Sequence, residues 1–251
     1  MRISFNRIAY EALQVCNALS LDAVEQAVAT TRLGPGARIL DIGTGNAAVS
    51  IRLARRFGFQ VTAVELDPGM ADLARARIEQ AGVPLDLVQA TSGAVLKASP
   101  PFDLIVAIGT TEPAGAGLRD PADIFASLGA HLVPEGFLLW GDVVWRDIPP
   151  EPLRQMMELT NTYADDAGWR AAAATAGLQV LSARMSPDAE WDGYAGAMQA
   201  AADAWLMAHP DDEAAPAVRR NADRVRLMLD FGRPHMDFGL YLLRKGPIRP
   251  T

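Results

Sequence analysis

Two carboxylates and two glycines stand where chemistry on a nucleoside-type ligand would need them. The stretch Arg38-Ile-Leu-Asp41-Ile-Gly43-Thr44-Gly45-Asn46-Ala-Ala48 runs from an apolar, β-branched segment through the glycines into a segment that reads as a helix. A strand that turns on glycines into a helix lets backbone N–H groups approach a ligand closely. Glu65 closes the next apolar run, 20 residues beyond Gly45. That spacing places an acid one strand over, where its two oxygens could accept from both hydroxyls of a ribose. Gly43-x-Gly45-x-x-Ala48 also satisfies the alanine form of the dinucleotide fingerprint. Asp41, two residues before the first glycine, stands where dinucleotide sites usually have an apolar residue.

These residues need elements to carry them, and the chain supplies a strict alternation. Strands are expected at 38–42, 60–65, 85–89, 102–108 and 137–143, with helices at about 46–57, 69–81 and 121–131. Residues 91–99 are poorly defined. Alternating strands and helices of this length imply right-handed crossovers and a parallel sheet. The near-continuous apolar runs fit strands covered on both faces. Residues 1–33 read as helical, with Ser20 capping a helix from about Leu21 to Arg32. Beyond Val144 the pattern changes. Residues 145–152 are expected to be irregular, with helices at 153–163 and 167–176 and strands at 178–184 and 238–243. Between these last strands, Trp191, Tyr194, Met198, Ala202 and Trp205 recur at helical spacing, and Ala215, Val218, Ala222, Val225 and Leu229 repeat it.

Half of the 251 residues are apolar, enough for a sizeable core, and the net charge is −7. That balance argues against a nucleic-acid footprint and against a polybasic membrane contact. The arginines at 219, 220, 224 and 226 read as a solvated helix face. Cys16 is the only cysteine and the three histidines are far apart, so no metal site is expected. No run approaches the ~18 apolar residues of a membrane span, and a cytoplasmic protein is expected.

The sequence resembles the class I S-adenosylmethionine (SAM)-dependent methyltransferases, in a bacterial branch with small-molecule or unassigned substrates. Ile39-Leu-Asp41-Ile-Gly43-Thr-Gly45 is similar to the family's first motif and Val64-Glu65-Leu-Asp67-Pro68-Gly-Met70 to its second. Phe102-Asp103-Leu-Ile-Val106 is similar to its fourth strand, and Leu132-Val-Pro134-Glu-Gly136-Phe-Leu-Leu139 to its Leu-x-Pro-Gly-Gly lead into the fifth. The resemblance covers residues 34–144 by motif and the rest by order of elements.

It implies an α/β, Rossmann-like fold: a seven-stranded, mostly parallel sheet with an antiparallel last strand, helices on both faces and helical insertions forming a lid. The chain would be one methyltransferase domain, 1–251. It would comprise a helical arm (1–33), a SAM-binding core (34–144) and a substrate-side half (145–251) with an insertion at 188–232. Asp41, Gly43, Thr44, Gly45 and Asn46 would bind the cofactor, with Asp41 and the two glycines near its methionine part. Glu65 would hold the ribose, with Leu66 and Met70 near the adenine and Ala90, Thr91 and Ser92 beside it. Ile108, Gly109 and Thr110 would pass close to the sulfonium. Two positions depart from the family pattern. Ala47 replaces a third glycine, and Thr91 or Ser92 replaces the acid expected after the third strand.

The expected reaction moves a methyl group from SAM to an O or N atom of a small molecule, leaving S-adenosylhomocysteine. An NAD(P)-dependent oxidoreductase and a non-catalytic SAM-binding protein are the alternatives. Glu112, just past the fourth strand, is the candidate base, against a plain role in capping the next turn. Trp145, Arg146, Trp191 and Tyr194 are the substrate-side candidates. Against them, the aromatic stripe could be core, and Arg146 could pair with Asp147 or another acid.

Overall fold

The computed structural model describes residues 3–159 and 161–247. The elements are α1 (Phe5–Ala12), α2 (Leu21–Ala29), β1 (Arg38–Ile42), α3 (Ala48–Phe57), β2 (Gln60–Glu65), α4 (Pro68–Ala81), β3 (Asp86–Gln89), α5 (Ser92–Ala98) and β4 (Phe102–Ile108). They continue with α6 (Pro121–Ala130), β5 (Leu132–Trp145), α7 (Glu151–Met157), α8 (Asp166–Thr175), β6 (Leu178–Met185), α9 (Asp188–Ala208), α10 (Ala215–Gly232) and β7 (Met236–Lys245).

The strands form one sheet in the order β3-β2-β1-β4-β5-β7-β6. Its first five strands are parallel, and β7 runs antiparallel between β5 and β6. Alternate residues along each strand feed two cores, because side chains of a strand point to opposite faces. Ile39, Leu104, Val106 and Leu139 pack on one face with Val24, Val28, Val49 and Leu53 of α2 and α3. Leu40, Ile105, Leu138 and Trp140 pack on the other with Ile124, Phe125, Leu128 and Trp169 of α6 and α8. The reversal of strand order, between β1 and β4, opens a crevice at the carboxyl ends of the strands, where open α/β sheets take their ligands.

The elements depart from the sequence reading in three places, each for a local reason. Residues 92–98 are helical because the Thr91 hydroxyl accepts from the Ala94 N–H and caps the first turn. The helix expected over 153–163 is the shorter α7. It stops at Glu158, whose carboxylate accepts from the Trp145 indole and the Tyr163 N–H. β5 is longer than expected, since β7 pairs with it from Phe137 to Trp145. The Pro134-Glu135-Gly136 turn lies inside it as a register shift against β4, with Glu135 at φ 61°. The Ser20 cap of α2 stands as read, its hydroxyl accepting from the Ala23 N–H.

α1, α9 and α10 form a unit of their own. Phe5, Ala9 and Leu13 pack with Met198, Ala202 and Ala222. Ile8 packs with Leu206, Ala214, Ala215 and Val218. Tyr194 and Leu229 join the first of these clusters to the sheet core that holds Trp191, so the arm and the distant insertion pack together beside the sheet. Among the described residues no helix is long and apolar enough to cross a membrane.

Candidate active site

The turn after β1 is built on left-handed backbone. Gly43 and Gly45 sit at φ 67° and 58°, which glycine adopts without steric cost. At Gly43 a Cβ would lie 2.7 Å from the Thr110 side chain. The Thr110 hydroxyl in turn donates to the Ile42 carbonyl at 2.7 Å, tying the ends of β1 and β4 together. The Thr44 N–H donates to the Val64 carbonyl and ties the turn to β2.

Glu65 closes this junction. Its Oε2 accepts from the Gly45 N–H at 2.9 Å, and its Oε1 accepts from the N–H groups of Leu66 and Asp67 at 2.9 Å each. Burial raises its pKa, and the three backbone donors oppose that shift by stabilising the charged form. The carboxylate is therefore locked in one orientation by β1 and β2 at once.

A cavity of about 650 Å³ opens beside it, within the range of small-molecule and cofactor sites. The sequence-predicted residues Gly43, Gly45, Glu65, Leu66, Met70, Ala90, Thr91, Ser92, Ile108, Gly109, Thr110 and Glu112 all line it. Leu66 is 62% exposed, an apolar side chain presented to the opening. The remaining expected residues lie elsewhere, and each has a physical reason.

Asp41 is buried, its Oδ2 accepting from the hydroxyls of Thr44 at 2.7 Å and Ser50 at 2.6 Å. Burial raises its pKa against those two bonds. Asp41 and Thr44 thus brace the turn from behind. Asn46 is also buried, facing the backbone of the arm rather than the cavity. Ala47 holds φ 61° at the start of α3 without any side-chain cap, fully enclosed.

The substrate-side candidates do not reach the cavity wall. Arg146 pairs with Asp237 and, more distantly, with Asp188. Trp145 is buried edge-on to Tyr163, with its indole N–H on Glu158. Trp191 is core, packed edge-on against Tyr194 and Phe238 under the Arg233 guanidinium. Tyr194 comes closest: its hydroxyl faces that of Tyr10, which does line the cavity, and burial raises the pKa of both phenols.

Asn6, Tyr10 and Cys16, all from the arm, complete the wall. Their spacing in the sequence carries no signal, since only the tertiary fold brings the arm to the sheet. The loop after β4 adds Thr111, Gly115 and Ala116. Within it Glu112 adopts φ 49°, its N–H donating to Asn161 Oδ1 at 3.1 Å and its carboxylate accepting from the Gly117 N–H at 3.0 Å. Asn161 is buried and also donates to the Thr110 carbonyl, so one side chain sets the whole bend. Such strained backbone persists only where its surroundings over-determine it. Asp142, at the end of β5, also escaped sequence reading. It is fully buried beside Tyr163, with its pKa pushed up to about 7 by desolvation.

The carboxylate, the apolar wall and the glycine turn fit a ribose-bearing cofactor such as SAM. Residues 39–136 match the family model described as "Methyltransferase domain". The Escherichia coli K12 protein YjhP is 28% identical over 218 residues, 84% of this chain and 86% of YjhP. A ubiquinone biosynthesis O-methyltransferase of Xylella fastidiosa is 31% identical over 137 residues. That match takes in 54% of this chain and about half (52%) of the relative's length. In fold, the chain is similar to a SAM-dependent methyltransferase of Thiobacillus denitrificans crystallised with S-adenosylhomocysteine. There the TM-score is 0.81 at 24% identity, over 97% of this chain and 99% of the other.

Proposed function

We propose that the chain is a class I SAM-dependent methyltransferase, its residues 39–136 matching the methyltransferase domain model, and that it methylates an O or N atom of a small molecule. The observation that carries the site assignment is the Glu65 carboxylate, held by three backbone N–H groups at the wall of the cavity. Leu66 and Asp67 fill the two lone-pair sites of Oε1 and Gly45 fills one of Oε2, which leaves the second site of Oε2 to accept from a ribose hydroxyl. Leu66 and Met70 offer the apolar surface for an adenine. Thr91 spends its hydroxyl on the α5 cap and Ser92 donates to the Glu112 carbonyl. Each hydroxyl keeps a lone pair, so one of them or a backbone carbonyl of residues 90–92 can accept from the adenine amino group in place of the missing acid.

SAM supplies a methyl carbon already activated by its sulfonium. What remains for the protein is alignment, which can contribute roughly 7–11 kcal/mol through proximity alone. Ile108, Gly109 and Thr110 line the cavity between the glycine turn and the Glu112 loop. Glu112 stands at the acceptor end, where its carboxylate takes or orients the proton of an arriving hydroxyl or amine. A small acceptor suits an acidic chain with a cavity of this size. The name of the Xylella relative, an O-methyltransferase of ubiquinone biosynthesis, points to the same class.

Thermal-shift titration with SAM, S-adenosylhomocysteine and NAD tests the cofactor, followed by S-adenosylhomocysteine formation across phenols, carboxylic acids and amines. Stabilisation by the first two and turnover on a member of the panel are expected. Stabilisation by NAD alone would overturn the reading. SAM binding without turnover on any acceptor would favour a non-catalytic binding protein.

A further inference from the structure

Residues 13–19 cross the mouth of the cavity, over the two glycines that end β1 and β4. A Cβ at Gly45 would lie 3.1 Å from the Cys16 sulfur, and one at Gly109 would lie 3.4 Å from Asn17 Nδ2. The crossing segment therefore seats directly on the turn that the cofactor must reach. Burial of Val15, Ala18 and Leu19 in the sheet core, with the Ser186 hydroxyl donating to the Ala18 carbonyl, anchors its far end, while the end nearer α1 is held by a small set of side-chain-to-backbone bonds. Asn46 Nδ2 donates to the carbonyls of Tyr10 at 3.1 Å and Leu13 at 2.9 Å, while its Oδ1 accepts from the Ala48 N–H. Arg77, on α4, donates to the Glu11 carbonyl at 2.7 Å and reaches the Leu13 carbonyl at 3.4 Å. Asn17 donates to the Ile108 carbonyl at a long 3.5 Å, and its buried Oδ1 has no partner among the described residues. An unsatisfied buried oxygen lowers the cost of lifting the segment, because water can reach it once the segment is open.

From this geometry we infer that Asn46 is a positioning residue. It sits inside the glycine turn yet acts on the arm, as the latch that holds residues 10–17 closed over the cofactor, with Arg77 as a second grip. Cofactor exchange then requires the arm to release, and the turn that receives the cofactor also sets how long it stays. The inference rests on the cofactor reading above.

Cys16 is the only cysteine, half-buried at the cavity wall with its thiol pKa pushed up to about 11 by burial. Arm opening relieves that burial, so the rate of its alkylation by N-ethylmaleimide at mildly alkaline pH rises with opening. Two variants isolate the latch, Asn46→Ala and Arg77→Ala. Arg77 lies outside the cavity wall, so its loss leaves the turn intact. Losing the two Asn46 bonds should speed Cys16 alkylation of the free protein by about tenfold, and S-adenosylhomocysteine dissociation by a similar factor. Arg77→Ala should speed both by about threefold. A merely structural role for Asn46 would lower the melting temperature without changing either rate well below it. If Asn46→Ala does not fold, Arg77→Ala decides. Unchanged alkylation and dissociation rates in a folded variant overturn the latch. Failure of the parent protein to bind S-adenosylhomocysteine would instead overturn the cofactor reading, and alkylation of the free variants would still decide the latch.

Discussion

Glu65 and Asp142 are both half-isolated carboxyl groups, and their surroundings give them different work. Glu65 is held by backbone donors and faces the cavity. Glu65→Ala should weaken SAM binding at least about tenfold by calorimetry, since a charge-assisted hydrogen bond and the brace on the glycine turn go with it. Unchanged affinity would place the ribose elsewhere. Asp142 faces the interior, and only the Val143 N–H donates to it. In the folded chain it keeps its proton up to about pH 7, whereas in the unfolded chain it loses it near 4. Between these values the folded state binds more protons, so this group's contribution to stability falls as pH rises. Asp142→Asn keeps the neutral form at all pH. Relative to the parent it should gain on the order of 2–4 kcal/mol between about pH 4 and pH 8, read from urea midpoints. A constant difference across that range would show that the carboxyl is not protonated in the native protein. Burial of this kind was not legible beforehand, because a single aspartate in an apolar run looks the same whether it faces a cavity or a core.

At the scale of elements, the strands and the glycine turn were legible because their signals are local. An apolar run, a glycine with positive φ and a carboxylate at a strand's end are written in consecutive residues. Gly43, Gly45 and Glu65 line the cavity as that pattern implies, and the resemblance to the methyltransferases adds Leu66, Met70, residues 90–92 and residues 108–110. Asp41 and Asn46 share the motif but turn inward, one to Ser50 and one to the arm. The pattern names the turn and not the direction in which each side chain points. The aromatic stripe of α9 left two readings open, a binding face or core. Trp191 has the right residue type for a binding face, but it is buried edge-on against Phe238 of β7. The turn itself is testable. Gly43→Ala forces a left-handed L-residue against Thr110. It should cost at least about 1–2 kcal/mol in chemical denaturation and loosen the β1–β4 junction enough to weaken SAM. A neutral Gly43→Ala would mean that the turn relaxes freely.

The whole molecule is a two-sided sheet with a three-helix unit set over its ligand edge. Because α1, α9 and α10 share apolar clusters, they should open and close together. Hydrogen exchange checks this: amides of α1 and α9 should exchange with one common protection, and S-adenosylhomocysteine should slow both. Independent exchange of the two helices would dissolve the unit. The strand order carries a further consequence for the chain's synthesis. β7 lies between β5 and β6 although it follows both in the chain. Until β7 emerges, β6 has no sheet to join and β5 presents a bare edge, with Trp140, Val143 and Val144 beside it. Such an edge invites pairing with a neighbouring nascent chain. The growing polypeptide therefore carries an unpaired edge from the time β5 forms until β7 pairs with it.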